Sequence, residues 1–210
     1  MVKFAAGCLA AMLLSVAAFA QELTPDALAK KVTDDVLTVL RADKEIQAGN
    51  HKKVLDLVES TVLPHFDFLR MTRLAVGPAW RQASATQQQS LANEFRALLV
   101  NTYTSAFTQY RNQTIDYKPL KLQPADTEVV VRSLIKQSNG GDPIDVNYSM
   151  EKSEKGWKVY DVTIAGVSLV QNYRSSFSSE IQKSGIDGLV ATLSTKNKTI
   201  AQQQAQAAKK

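Results

Sequence analysis

The chain has 210 residues, 44% hydrophobic and 21% charged, with a formal net charge of +5. That length suits one domain with an ample core. Its single cysteine, Cys8, leaves no material for a disulfide scaffold or a thiolate metal site. The modest basic excess lacks the dense Lys/Arg stripe, interleaved with aromatics, that nucleic-acid binding requires.

Residues 1–20 have the three parts of a secretory signal peptide: Lys3 near the start, an apolar stretch over 4–16, and the small-residue site Ala18-Phe19-Ala20. Cleavage is expected after Ala20, which directs the chain to the periplasm and also argues against nucleic acid. The rival reading, lipidation at Cys8, leaves no room for an apolar stretch ahead of the cysteine. Removal of residues 1–20 leaves a 190-residue chain without cysteine. Residues 21–195 are expected to form one domain, with 196–210 as a polar tail of no core role. After Ala20 the longest apolar runs, such as Ala97-Leu98-Leu99-Val100, are far shorter than the roughly 20 residues of a membrane span.

The first helix is signalled by Thr24 as cap, Pro25 at the first position and Asp26 at the positive end. Its apolar stripe is Leu28, Val32, Val36, Val39 and Leu40. Gly49-Asn50 ends it. A second helix carries Val54, Leu55, Val58 and Val62 up to Pro64, and a short one spans Phe66 to Leu74 before Gly77-Pro78. Residues 86–110 give the strongest helical pattern: Thr86 and Gln89 fit a capping box, and Leu91, Phe95, Leu98, Leu99, Tyr103, Ala106, Phe107 and Tyr110 recur at three- and four-residue steps.

From Gln113 to Gly166 the period changes to two. Val129, Val131 and Ile135 alternate with Val130, Arg132 and Lys136. Ile144, Val146, Tyr148 and Met150 alternate with Asp145, Asn147, Ser149 and Glu151. The turns are Asn139-Gly140-Gly141-Asp142 and Lys155-Gly156, and a further strand runs over 157–164, where Tyr160, Val162 and Ile164 share a face. Short loops between successive strands predict an antiparallel sheet with one wet face. The helical period then returns with Leu169, Tyr173, Phe177 and Ile181; Gly185-Ile186-Asp187-Gly188 reads as a turn, and Leu189, Val190 and Leu193 as a last helix. This is an α+β fold, helices packed on one face of a curved antiparallel sheet.

Catalytic and metal-binding patterns are missing. The chain has two histidines, His51 and His65, no His-x-x-x-His, no Gly-x-Ser-x-Gly and no phosphate-binding glycine loop. Asp67 and Asp161, set among apolar residues, read as carboxylates that tie a loop or pair with Arg70, Arg73 or Arg174. The alternative, Asp161 as the base of an enzyme on an NTF2-like frame, remains open at this stage.

The segment Trp157-Lys158-Val159-Tyr160-Asp161-Val162-Thr163-Ile164-Ala165-Gly166-Val167-Ser168-Leu169-Val170, followed by Asn172-Tyr173-Arg174, Phe177 and Gly185-Ile186-Asp187-Gly188-Leu189, resembles the MlaC family, also called toluene-tolerance auxiliary proteins. Leu63-Pro64-His65-Phe66-Asp67-Phe68 through Met71, Trp80, and the spacing of Phe95, Tyr103 and Tyr110 are similar to the same family, over roughly residues 24–195. The resemblance implies an NTF2-like sheet with an apolar pocket between sheet and helices. It implies a non-enzymatic periplasmic carrier with a phospholipid ligand and no cofactor. The implied partners are an outer-membrane lipoprotein–porin complex and an inner-membrane ABC-transporter complex, which the carrier serves as a monomer to maintain outer-membrane lipid asymmetry. A periplasmic lipoprotein chaperone is the other carrier reading. The matching segment supplies Val162, Ile164, Val167, Leu169, Val170 and Tyr173 as lipid-binding candidates. Strand alternation adds Val131, Val146, Tyr148 and Met150; the helical stripes add Trp80, Phe95, Leu99, Tyr103 and Phe107. Arg70, Arg73 and Arg174 are candidate neighbours of a head group, with little selectivity expected among head groups.

Overall fold

The structure, a computed structural model, describes residues 22–104, 107, 112–138 and 140–207. The expected signal peptide with Cys8, residues Ala106 and Tyr110 of the predicted stripe, Asn139 of the predicted turn, and the end of the tail at 208–210 lie outside the described residues.

Helix α1 (Pro25–Ala42) begins after Thr24, with Pro25 in the first turn beside Asp26. Its inward stripe uses Leu37, whereas Val39 is turned to solvent at 37% exposure. Asp43 ends α1 and caps α2 (Lys44–Gln47) by accepting from the backbone N–H groups of Glu45 and Ile46 at 2.8 and 3.2 Å. Asn50 caps α3 (His51–Leu57) through the Lys53 N–H. The predicted second helix does not run straight to Pro64. It widens to a π-helical turn at Val58–Val62 and tightens to a 3-10 turn at Leu63–His65, which Pro64 permits because no N–H is needed there.

Asp67 caps α4 (Phe68–Val76), its carboxylate accepting from the Arg70 N–H at 2.8 Å. A 3-10 turn, Gly77–Gln82, leads to α5 (Ala85–Tyr103). The capping box of α5 sits two residues before the expected one. Ser84 Oγ accepts from Gln87 N–H and Gln87 Oε1 accepts from Ser84 N–H. Ser84 offers the same spacing as Thr86 and, with ψ of 162°, already has the extended backbone of a cap.

Five antiparallel strands follow in sequence order: β1 (Thr114–Tyr117), β2 (Glu128–Lys136), β3 (Ile144–Ser153), β4 (Gly156–Ile164) and β5 (Val167–Ser168). The sheet is curved and unclosed. Its register sets Val131 opposite Tyr148, Ser133 opposite Val146, and Val146 opposite Ile164, so these share the covered face. Between β3 and β4 the register shifts: Asp161 faces Ser149, but Val159 faces Met150. Tyr160 is therefore an extra, bulged residue. It does not share a face with Val162 and Ile164, as simple alternation predicted. Its ring instead lies under the Arg70 guanidinium, 3.7 Å from carbon to ring centroid. Arg70 also pairs with Glu128 and Glu151, which fastens α4 to β2 and β3.

Helix α6 (Leu169–Ala207) closes the chain. Gly185, with φ of 74° and ψ of −176°, kinks it where a turn was expected; a β-carbon would be strained in that left-handed region. The fold does not stop at residue 195, after which a polar tail of no core role was expected. Helix α6 continues through it, and Asn197 is buried, donating from Nδ2 to the Glu94 carbonyl at 2.9 Å and to its carboxylate at 2.7 Å. Gln204 donates to the Asn101 carbonyl, and Ile200 packs on the core between α4, α5 and α6. A polar sequence hid this contact because amides, not apolar groups, make most of it.

Three apolar clusters result. One lies between α4, α5 and α6, centred on Phe95, Leu91 and Leu98. One lies within the segment from α1 to the π-helical turn, around Val36, Val54 and Val58. The third is the covered face of the sheet.

Candidate functional site

The three clusters do not fuse into one solid core. A cavity of about 540 Å³ lies where they meet. Its floor is the covered face of the sheet. Ile144, Val146, Tyr148 and Met150 of β3 line it over about 20 Å at the usual rise per residue, and Val159, Val162 and Ile164 continue it on β4. Its roof is the α1 stripe of Leu28, Val32, Val36 and Leu40, with Val62 and Leu63 from the turns that follow α3. Met71 of α4 and Leu99 and Val100 at the end of α5 close a side. No Lys, Arg, Asp or Glu occurs among the described lining residues.

The few polar groups on the wall are mostly satisfied. Thr104 donates to the Val100 carbonyl at 2.6 Å. Thr33 Oγ1 lies 2.6 Å from the Tyr117 hydroxyl, which also reaches the Ala29 carbonyl at 3.1 Å. Ser133 donates to the Val146 carbonyl at 2.8 Å. These hydroxyls bind α1 to the sheet across an otherwise apolar gap. Burial raises the pKa of Tyr117 and Tyr148, so they stay neutral donors at physiological pH.

Nine of the fifteen predicted site residues line this cavity: Leu99, Tyr103, Phe107, Val146, Tyr148, Met150, Val162, Ile164 and Leu169. Six do not. Phe95 is fully buried edge-on to Tyr173 and Phe177, each at 5.1 Å, and Trp80 and Val170 pack in the same helical core. Val131 is buried on the covered face without reaching the cavity surface, and Val167 in β5 is 54% exposed. Most of the roof was not named as site in the sequence. The α1 stripe was visible as an apolar face, but nothing in a stripe distinguishes a face against side chains from a face against a void. His65, read as a packing residue, also lines the cavity.

The two suspect carboxylates are engaged in structure. Asp67 caps α4, and its backbone N–H donates to the Val159 carbonyl in a bridge beside β4. Asp161 accepts from the Ser168 hydroxyl and the Val170 N–H, and so orders the start of α6. Neither lines the cavity, which removes the sequence's best candidate for a general base. Arg70 is held by its two glutamates and Tyr160, and Arg174 lies over Gly77; neither lines the cavity. Among the described residues no group of three or more His, Cys, Asp or Glu is placed to hold a metal ion, and no helix is long and apolar enough to cross a membrane.

Comparison with known proteins places this geometry. Residues 30–195 match the family model described as MlaC protein. The intermembrane phospholipid transport system binding protein MlaC of Haemophilus influenzae is 28% identical over 174 residues, spanning 82% of this chain and 81% of that one. The toluene tolerance protein ttg2D of Pseudomonas putida is 27% identical over 176 residues, 83% and 79% of the two chains. Among solved structures, the phospholipid-binding protein of Ralstonia solanacearum, determined in complex with a phospholipid, matches with a TM-score of 0.79 and 40% identity over 85% of this chain and 99% of that one. Two of these relatives are named for phospholipid binding or transport and none for catalysis, and with a family model matched across most of its length this chain belongs to the MlaC family.

Proposed function

We propose that the protein is a periplasmic phospholipid carrier that takes acyl chains into the cavity between α1 and the sheet. It would move lipid between an outer-membrane lipoprotein–porin complex and an inner-membrane ABC-transporter complex, in support of outer-membrane lipid asymmetry. The observation that carries this reading is the uncharged, apolar cavity of about 540 Å³ in a chain of this family. Such pockets hold apolar ligands with a few polar groups to orient them.

The size bounds the cargo. An apolar cavity of about 150 Å³ accepts one benzene. On that scale 540 Å³ houses on the order of 20 carbons, one full acyl chain and part of a second. Burial of one methylene is worth about 0.8 kcal/mol, so a sixteen-carbon tail amounts to roughly 13 kcal/mol against water. A bilayer shelters tails equally well, so exchange between bilayer and cavity is nearly balanced. The barrier is exposure in transit. A carrier removes it by docking and offering an unbroken apolar path, which means slow release in water and fast release at a partner.

The test is organic extraction of protein purified without added lipid, followed by mass spectrometry. Phospholipid near one equivalent is the expected result. Acylated protein in its place would favour the lipoprotein-chaperone reading, and lipid-free protein would overturn the carrier reading.

A further inference from the structure

Helix α6 bends at Gly185, and its second arm, residues 186–207, runs beside α5. Side-chain bonds fix its direction. Gln87 donates to the Asp187 carboxylate at 2.8 Å, Asn197 to the Glu94 carbonyl at 2.9 Å, and Gln204 to the Asn101 carbonyl at 2.9 Å. The partners advance together along both helices, and the last two bonds span the same offset of 103 residues, so the arm lies parallel to α5. Its inward residues, Leu189, Leu193, Asn197, Ile200 and Gln204, recur at three- and four-residue steps, as along a coiled-coil seam. Leu189 and Leu193 are buried in the helical core, but beyond Leu193 the seam turns polar. An amide in such a seam fixes register at a cost in stability. Asn197 shows both sides: its Nδ2 is bonded to Glu94, while its buried Oδ1 has no partner among the described residues. Past Leu193 the arm is therefore held in one register by a few amide bonds and Ile200. Segments held by so little apolar burial are the ones that open locally while the rest of a fold stays closed. The stretch matched by the family model ends at residue 195, so Asn197, Ile200 and Gln204 lie beyond it.

The place where this arm ends ties it to the cavity. Asn101 is in the last turn of α5, and its neighbours Leu99, Val100, Tyr103 and Thr104 line the cavity. Leu99 also packs in the core that the arm covers. Asn197, Ile200 and Gln204 themselves do not line it. We propose that residues 196–207 are a strap that holds the end of α5 against the cavity and so sets how slowly bound lipid leaves. Asn197 and Gln204 are its positioning residues, and they act on the cargo only through the α5 wall. With the strap docked, Gln204 donates into the turn that carries the four lining side chains, a place where helix carbonyls accept side-chain donors readily. With the strap released, that turn loses its outside support and the wall yields there first. The proposal rests on the carrier reading and adds to it a determinant of retention that lies outside the cavity.

The test is the rate of lipid release. The full chain is loaded with a phosphatidylglycerol that carries a fluorescent tail, and transfer to vesicles of phosphatidylethanolamine and phosphatidylglycerol is followed in time. Q204E keeps the size of the side chain and removes its donor. It should speed release about two- to tenfold, the worth of one hydrogen bond, and quicken hydrogen exchange over residues 99–104. Q204K restores a donor at a helix end that favours a cation, and should release at the wild-type rate. Q203E makes the same charge change at an exposed neighbouring position and should also match the wild type. Equal release by Q204E and Q203E, or release by Q204K as fast as by Q204E, overturns the strap and leaves the carrier reading standing. A wild type that takes up no labelled lipid overturns both.

Discussion

Val146→Asp isolates the cavity from the fold. Val146 is 6% exposed, sits on the floor between Ser133 and Ile164, and has no lysine or arginine among the described lining residues to pair with. A carboxylate placed there and covered by an acyl chain is an uncompensated buried charge, worth about 3–5 kcal/mol against binding. That is a loss of about a hundredfold to several thousandfold in affinity. In the lipid-free protein, water can enter the cavity and hydrate the carboxylate, so most of the penalty falls on binding and not on folding. The assay is lipid per protein by extraction and mass spectrometry, with circular dichroism to confirm the folded state. Val130→Asp is the control: Val130 points outward opposite Ser149, is 42% exposed, and should keep its lipid when mutated. A carboxyl in apolar surroundings titrates above its ordinary range, so acidification should return lipid to the Val146 variant. A folded Val146→Asp protein with wild-type lipid content would refute the placement of tails on this floor.

Tyr117→Phe removes the hydroxyl that bonds Thr33 and Ala29, and should destabilise by about 1–2 kcal/mol in urea titration, with faster hydrogen exchange along α1. Asn197→Ala, in the segment that reads as a tail, should lose about 1–3 kcal/mol because the Glu94 carboxylate loses its amide donor and the Glu94 carbonyl a bond additional to its helical one. Glu128 is held below its ordinary pKa of 4.5 by the bond from Arg70. A depressed folded-state pKa gives stability that is present above 4.5 and lost as pH falls through the folded value, so Glu128→Gln should flatten the acid limb of the stability–pH curve. A variant with an unchanged acid limb would remove Arg70 from the account.

Helix starts, the strands and their alternation were legible in the sequence because each has a local cause: a cap, a period, a glycine turn. What escaped were features set by contact at a distance. The bulge at Tyr160 depends on how β4 meets β3, and alternation within one strand cannot reveal it. Phe95 belongs to the same helical stripe as Tyr103 and Phe107, yet Phe95 fills a core and the other two border a void. Volume, not pattern, separates them. His65 gained its place from the turn forced by Pro64, which lays residues 66 and 67 beside β4.

That same bridge has a consequence for solution behaviour. The long strand β4 would be an open rim, but Phe66–Asp67 runs alongside part of it and β5 covers its end. At the opposite rim β1 offers four residues only. Along β4 and β1 the sheet therefore presents little main chain for a foreign strand to add to, which disfavours self-association by strand pairing at these rims.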